Sequence, residues 1–240
     1  MSLKSKRIVI IGGTSGIGYA IAEAAVNEGA DVVVASSNPA NVDAAVKRLS
    51  NGVSGAVIDV TSESSVEAAF AKIGPLDHLV TTAGDWKARR GPVGEMDLEA
   101  AKWNFAVRFW GALAAVKHAQ KHIIAGGSIT LTDGMVAHRP SKGSAVATAM
   151  AGAVEHLTRG LAVDLAPIRV NCVCPGLIRT GVWESIPQDR RAEQFERMTK
   201  RQPLPRVGEP AEAAEAYLYL MRGGYTTGQV LHVDGGSSVV

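Results

Sequence analysis

The chain holds little that would tie it to an oxidising compartment, a membrane or a nucleic acid. Its 240 residues include two cysteines, Cys172 and Cys174. They stand two apart on a predicted strand and so share one face, which disfavours a disulfide between them. Two are also too few for a metal site, and no metal is expected. They read as small core hydrophobes in a reducing cytosol. The formal net charge of +2 comes without any Lys/Arg block, so neither nucleic acid nor an anionic membrane is an expected partner. Lys4, Lys6 and Arg7 precede Ile8-Val9-Ile10-Ile11 in the manner of a signal peptide, but that run stops at Gly12. Four apolar residues are too few for that role, and no segment approaches a membrane span. The expected location is cytoplasmic. Tyrosine is scarce as well, with four in the chain.

What the chain does hold is apolar residues in a repeating pattern. They make up 46% of it, enough to bury a sizeable core, and one α/β domain over 1–240 is the plain expectation. Ile8-Val9-Ile10-Ile11 reads as a buried strand, Gly12-Gly13-Thr14-Ser15-Gly16-Ile17-Gly18 as a tight turn, and Tyr19-Ala20-Ile21-Ala22 as the start of a helix. Such a unit leaves backbone N–H groups and the positive end of a helix dipole facing one small space, which suits a phosphate. Spaced glycines let a pyrophosphate approach the main chain. An ordinary structural turn is the alternative reading of the same glycines.

Downstream, short β-branched runs alternate with helical segments. Strands are predicted at 32–35, 56–58, 78–80, 128–131, 169–173 and 229–233. Helices are predicted after Asn38-Pro39, over 66–72 behind a cap near Ser62, over 98–122, up to about 165 and over 210–221. Seven strands separated by helices imply a single doubly wound, Rossmann-like sheet of mainly parallel strands with helices on both faces. Ligands then sit beyond the carboxyl ends of the strands. The stretch 177–209, with Trp183, Phe195, Met198 and several prolines, is too long for a simple connector. It reads as a mobile lid of short helices, or else as a packed surface excursion.

The order of these motifs resembles the classical short-chain dehydrogenase/reductases along essentially the whole chain. Gly12, Gly16 and Gly18 match that family's Gly-x-x-x-Gly-x-Gly cofactor loop, which here also includes Thr14, Ser15 and Ile17. Asp59 and Val60 look like its adenine contact. Thr81-Thr82-Ala83-Gly84 matches its Asn-Asn-Ala-Gly motif at Ala83 and Gly84 only. Asn104 lies where the family keeps an active-site asparagine. Arg169-Val170-Asn171 and Pro175-Gly176-Leu177-Ile178-Arg179-Thr180 are similar to its sixth strand and the turn on the nicotinamide side, with Pro175, Gly176, Ile178 and Thr180 as contacts. Thr227 to Gly236 matches its end. The resemblance implies an NAD(P)H-dependent oxidoreductase acting on a carbonyl or alcohol, with a homotetramer or homodimer as assembly. Apolar faces on 98–122 and 146–165 permit one.

Cofactor choice follows from charge. A carboxylate at the end of the second strand would accept hydrogen bonds from a ribose 2′-OH and repel a 2′-phosphate. That position reads Ser36, followed by Ser37 and Asn38, so NADP(H) is favoured over NAD(H). The same three residues also serve as a helix cap.

The largest absence is in the family's Ser and Tyr-x-x-x-Lys. Gly127-Ser128-Ile129 and Glu155-His156-Leu157-Thr158-Arg159 anchor an ungapped alignment. Between them the serine position falls on Gly134, the tyrosine on Ala147 and the lysine on Ala151. A shifted register would use His138 and Lys142 instead, but Pro140 lies between them and opposes a helical turn there. Tyr19, Tyr217, Tyr219 and Tyr225 are not placed to serve. The nearest titratable groups are Asp133, His138, Arg139 and Lys142. His138 has the range of an acid at neutral pH, and Lys142 would orient an anionic substrate. Each also reads as a solvated loop charge. Asn104, Asp133, His138 and Lys142 are thus the catalytic candidates, while Trp86, Arg89 and Arg90 wall the cleft or meet a neighbouring subunit. Alongside an oxidoreductase of a small-molecule substrate, two readings stay open: an inactive NADP(H)-binding sensor or assembly partner, and a non-redox enzyme that uses the cofactor structurally.

Overall fold

The computed structural model describes residues 2–49, 52–84 and 91–240. Strands β1 (Arg7–Ile11), β2 (Asp31–Ser36), β3 (Val53–Val57), β4 (Leu76–Thr81), β5 (Ile123–Thr132), β6 (Arg169–Pro175) and β7 (Val230–Val233) form one sheet. Their order is 3-2-1-4-5-6-7, and every pairing is parallel. The order reverses between β1 and β4, which makes their carboxyl ends the place where a ligand is expected.

Alternation along each strand decides which helices it carries. Ile8 and Ile10 of β1 are fully buried in a core with α1 (Gly16–Asn27), α2 (Pro39–Leu49) and α8 (Pro210–Arg222). Val9 and Ile11 face the opposite core, with α3 (Glu63–Ile73), α5 (Ala112–Ala119) and α6 (Ala145–Asp164). Both faces are covered, so these strands read as continuous Val/Ile runs rather than as alternating ones. Each such side chain contributes about 1.5–3 kcal/mol by burial.

Three elements differ from the sequence expectation. β3 begins at Val53 and ends at Val57, instead of covering 56–58, because it pairs with β2 from Val32 to Ser36 at the sheet's edge. There Val57 is 52% exposed, and the buried Ile58 lies just past the strand. Gly55 hides the strand from a hydropathy reading, yet a Cβ on it would lie 2.4 Å from Val42 Cγ1 of α2. β5 extends from 123 instead of 128, with an irregular register against β4 between Leu76 and His78. The helix expected over 98–122 is interrupted: α4 (Leu98–Phe105) passes into a π-helical turn, Ala106–Gly111, before α5. The segment 177–209 holds a 3-10 turn, Gly181–Ser185, and helix α7 (Gln188–Thr199).

A buried histidine makes the sheet acid-sensitive. His78 in β4 is 4% exposed, with Nδ1 2.9 Å from Ser128 Oγ. Burial, helped by Arg169 and Lys6 and opposed by Asp77, lowers its pKa from 6.5 to about 4. The unfolded chain therefore binds this proton first as pH falls. The neutral form's stability is fully present above about pH 6.5 and is lost toward pH 4, by roughly 3 kcal/mol in all. Urea midpoints should fall across that window in the wild type and fall less in His78→Asn.

Candidate active site

The turn after β1 is held by its own backbone. Gly12 N–H donates to Ala35 O at 2.8 Å and Gly13 N–H to Ile10 O at 3.1 Å. From β4, Thr82 N–H donates to Ile11 O at 2.8 Å and Ala83 N–H to the same oxygen at 3.2 Å. The glycines are needed first for this packing. A Cβ on Gly12 would lie 2.6 Å from Ala83 N, and one on Gly18 would lie 2.2 Å from Gly12 O and 2.5 Å from Thr82 Oγ1. Gly16 is different: it has φ +53°, and its Cβ would meet only the Thr180 side chain, at 3.3 Å. Thr180, in the loop after β6, thus lies against the glycine turn. Ser15 sits at the N-cap of α1 without a side-chain cap. The first-turn N–H groups of a helix have no partner inside it, and they and the positive end of the dipole face its N-terminal end.

Ser36, Ser37 and Asn38 stand at the carboxyl end of β2. Asn38 Oδ1 accepts from Ala40 N–H at 2.9 Å and Asn41 N–H at 3.3 Å, so it does cap α2. Ser36 Oγ accepts from Asn38 N–H at 3.3 Å. Past β3, Asp59 Oδ1 accepts from Thr61 N–H at 2.9 Å and from its hydroxyl at 2.7 Å, which fixes the turn before α3. Val60 packs on the π turn, where a Cβ on Gly111 would lie 2.7 Å from Val60 Cγ2. Beyond β6, Gly176 N–H donates to Val233 O at 2.9 Å, and a Cβ on Gly176 would lie 2.6 Å from Asp234 Cα. Pro175 and Ile178 are buried beside it.

Where β4 and β5 end, the structure supplies a group the sequence reading did not single out. Arg108, on the π turn, lies across Gly84, where a Cβ would be 2.5 Å from Arg108 Nη2. Its Nη1 donates to Asp133 O at 2.8 Å. A continuous helix over 98–122 offered no reason to turn this arginine inward, and the π turn is what the sequence pattern did not reveal. Burial lowers the Arg108 pKa, with Asp133 opposing that shift. Asp133 is not a solvated loop charge: it is 1% exposed, and neither carboxylate oxygen has a hydrogen-bond partner. Burial and the neighbouring Glu155 push its pKa up to about 8. Glu155 is held below the usual range, because Asp133, His138 and Arg159 outweigh the burial that would raise it. The proton of this carboxyl pair rests on Asp133.

Ala147 and Ala151 lie one turn apart on the buried face of α6, at 5% and 1% exposure. Asn104 is buried on α4. His138 turns away from the strand ends: its Nε2 lies 2.6 Å from Glu155 Oε1 and 3.1 Å from His232 Nε2. Lys142 is exposed in the loop before α6, and Arg139 Nε donates to Ser237 O at 2.8 Å. Asp133 thus stands at the end of β5 with its carbonyl on Arg108 and its carboxyl beside Glu155 and Cys174, and His138 reaches the same Glu155. Trp86, Arg89 and Arg90 lie outside the described residues. Among the described residues no helix is long and apolar enough to cross a membrane.

An open parallel sheet with a glycine turn at the reversal of strand order defines a dinucleotide-binding α/β protein. Residues 12–238 match the family described as Enoyl-(Acyl carrier protein) reductase. The short-chain dehydrogenase/reductase ATR9 of Stachybotrys chlorohalonatus is 35% identical over 251 residues, covering 98% of each chain. A solved small-chain dehydrogenase in complex with NADPH is 36% identical, with a TM-score of 0.85 over 99% of this chain and 100% of that one. The MalC Reductase/Diels-Alderase of Malbranchea aurantiaca is 32% identical, with a TM-score of 0.91 over 98% of this chain and 96% of that one. The chain belongs to the short-chain dehydrogenase/reductase family, a family of NAD(P)-binding oxidoreductases.

Proposed function

We propose that the protein transfers hydride between NADP(H) and a small carbonyl or alcohol substrate, with Asp133 and Arg108 in place of the family's Ser, Tyr and Lys. The observation that carries this reading is the uncapped N-terminus of α1 behind Gly12, Gly16 and Gly18, facing Thr180. A pyrophosphate would be received there by backbone N–H groups, with no side chain from the turn's glycines in its way. Thr14, Ser15, Gly16, Ile17 and Gly18 would hold the phosphates. Ser36, Ser37 and Asn38 would hold the 2′-phosphate, and Asp59 and Val60 the adenine. Ala83, Gly84, Pro175, Gly176, Ile178 and Thr180 would hold the nicotinamide side. The similar small-chain dehydrogenase solved with NADPH supports the same cofactor.

Bound NADPH supplies the hydride. The chain's own task is to orient the substrate oxygen and deliver a proton. In the ungapped alignment the tyrosine and lysine positions are Ala147 and Ala151, which carry no proton to give. Arg108 has a fixed guanidinium between Gly84 and Asp133 and offers N–H donors to a developing alkoxide. Asp133, one residue before the family's serine position, is the proton donor. Asn104 is buried on α4, two residues before the π turn. His138 and Lys142 are left outside the chemistry by their positions. The segment 177–209 would serve as a lid; within it Trp183 meets Phe195 edge to face at 5.6 Å, and Trp183 Nε1 donates to Ile178 O at 2.9 Å.

The exposed Trp103, Trp110 and Val163 on α4, the π turn and α6 are where a homodimer or homotetramer would form. Two free buried cysteines accord with the reducing cytoplasm.

Titration of the protein with NADPH and NADH, followed by nicotinamide fluorescence, tests the cofactor assignment. NADPH should bind about tenfold tighter than NADH. Ser36→Asp should weaken NADPH about 100-fold by setting a carboxylate against the 2′-phosphate, and leave NADH little changed. Absence of saturable binding would sink the reading. Binding without NADPH oxidation against a broad aldehyde, ketone and quinone panel would leave a sensor, an assembly partner or a non-redox enzyme.

A further inference from the structure

The group that His138 joins has a geometry that the reduction does not use. Four donors from four segments converge there: His138 from the loop after β5, Glu155 from α6, Cys174 from β6 and His232 from β7. One ligand atom from each lies within 4.8 Å of all the others. His138 Nε2 approaches both Glu155 Oε1, at 2.6 Å, and His232 Nε2, at 3.1 Å. A ring nitrogen has one in-plane position, which holds either a proton or a lone pair. It therefore cannot donate to the carboxylate and accept from the second imidazole at once. Beneath them Asp133, 1% exposed and with both oxygens unpartnered, has Glu155 and Cys174 as its electrostatic neighbours. Two imidazoles, a carboxylate and a thiol from four segments thus meet in one place.

We propose that His138, Glu155, Cys174 and His232 form a zinc site that ties the loop after β5 to α6, β6 and β7. Two imidazoles, a thiolate and a carboxylate are a donor set that borderline-soft, tetrahedral Zn²⁺ prefers, whereas Mg²⁺ and Ca²⁺ require oxygens. Bonds of about 2.0–2.3 Å would place the donors some 3–4 Å apart, within reach of the present arrangement by small side-chain shifts. Half-exposed His138 and exposed His232 give the ion a way in from solvent. Binding displaces the Cys174 proton and frees both imidazoles of theirs at the metal-bound nitrogens. Zn²⁺ with one thiolate and one carboxylate is a neutral set. Glu155 and Cys174 of this site adjoin Asp133, the proposed proton donor, and the site is tested by zinc binding rather than by NADPH binding.

The test uses the full chain, reduced and stripped with a chelator, then titrated with Zn²⁺ against a chromophoric competitor and with Co²⁺ by absorbance. One equivalent per chain is expected, with a thiolate-to-cobalt charge-transfer band and the strong visible bands of a tetrahedral site. His232→Ala and His138→Ala, both at the surface, should each weaken zinc by about 100-fold. Cys174→Ser should lose the charge-transfer band, while Cys172→Ser keeps it. Less than half an equivalent of zinc, unchanged affinity in both histidine variants, or a cobalt spectrum without the thiolate band would overturn the site. If Cys174→Ser fails to fold, the histidine variants and the wild-type cobalt spectrum decide alone.

Discussion

Gly18→Ala is expected to abolish NADPH binding at concentrations that saturate the wild type. The added Cβ would stand 2.2 Å from Gly12 O, 2.8 Å from Gly12 C and 2.5 Å from Thr82 Oγ1. Two of those atoms are backbone, and the turn that owns them is fixed by hydrogen bonds from β2 and β4, so no side-chain rotation relieves the contact. Either α1 slides away from β1 or the turn opens, and both misplace the N–H groups that receive the phosphates. The expected cost is about 3–5 kcal/mol in stability and at least 100-fold in affinity. Gly16→Ala is the informative contrast. Its Cβ would press only on Thr180 Cγ2 at 3.3 Å, and the remaining penalty is the left-handed φ of +53°, about 1–2 kcal/mol. It should fold and bind with an affinity reduced about tenfold. Urea unfolding alongside fluorescence titration separates lost fold from lost site. Wild-type affinity in Gly18→Ala would show that the close approach is not what shapes the gap.

Asp133→Asn is expected to do two things that rarely come together: slow turnover and strengthen the fold. The carboxyl is buried without a partner, so exchanging it for a neutral isostere removes the burden of ever ionising there, worth about 1–3 kcal/mol. If Asp133 delivers the proton, the same change lowers kcat by about 10²–10⁴-fold, while the NADPH dissociation constant stays within threefold of wild type, a shift of about 0.7 kcal/mol at most. A merely structural Asp133 would move stability alone. Arg108→Met should likewise reduce kcat, but with a loss of stability, because the Asp133 carbonyl loses the donor it now has at 2.8 Å. Trading stability for function at one residue is the pattern expected where a strained group is kept for its chemistry.

The sheet was legible because its strands are buried on both faces and announce themselves as Val/Ile runs, and because glycines mark the turn after β1. The cofactor-side candidates were named from the same kind of signal, since close backbone approaches leave small residues at fixed spacing. β3 was misplaced by a few residues because an edge strand with Gly55 and an exposed Val57 carries a weak hydropathy signal, whereas Ile58 just beyond it carries a strong one. The inward turn of Arg108 was not legible, since a π turn has no residue signature in a helix that is periodic on either side. Nor were the partners of His138. Glu155, Cys174 and His232 are far apart in the chain; the parallel pairing of β6 with β7 sets Cys174 opposite His232, and the packing of α6 on β6 adds Glu155.

The measurement closest to the central claim is deuterium transfer. Wild-type protein, incubated with NADPH deuterated at the reactive C4 position and the carbonyl panel, should yield an alcohol one mass unit heavier. Asp133→Asn should form the same product far more slowly with cofactor still bound. Saturable NADPH binding with no deuterium in any product, or an undiminished rate in Asp133→Asn, would contradict the account.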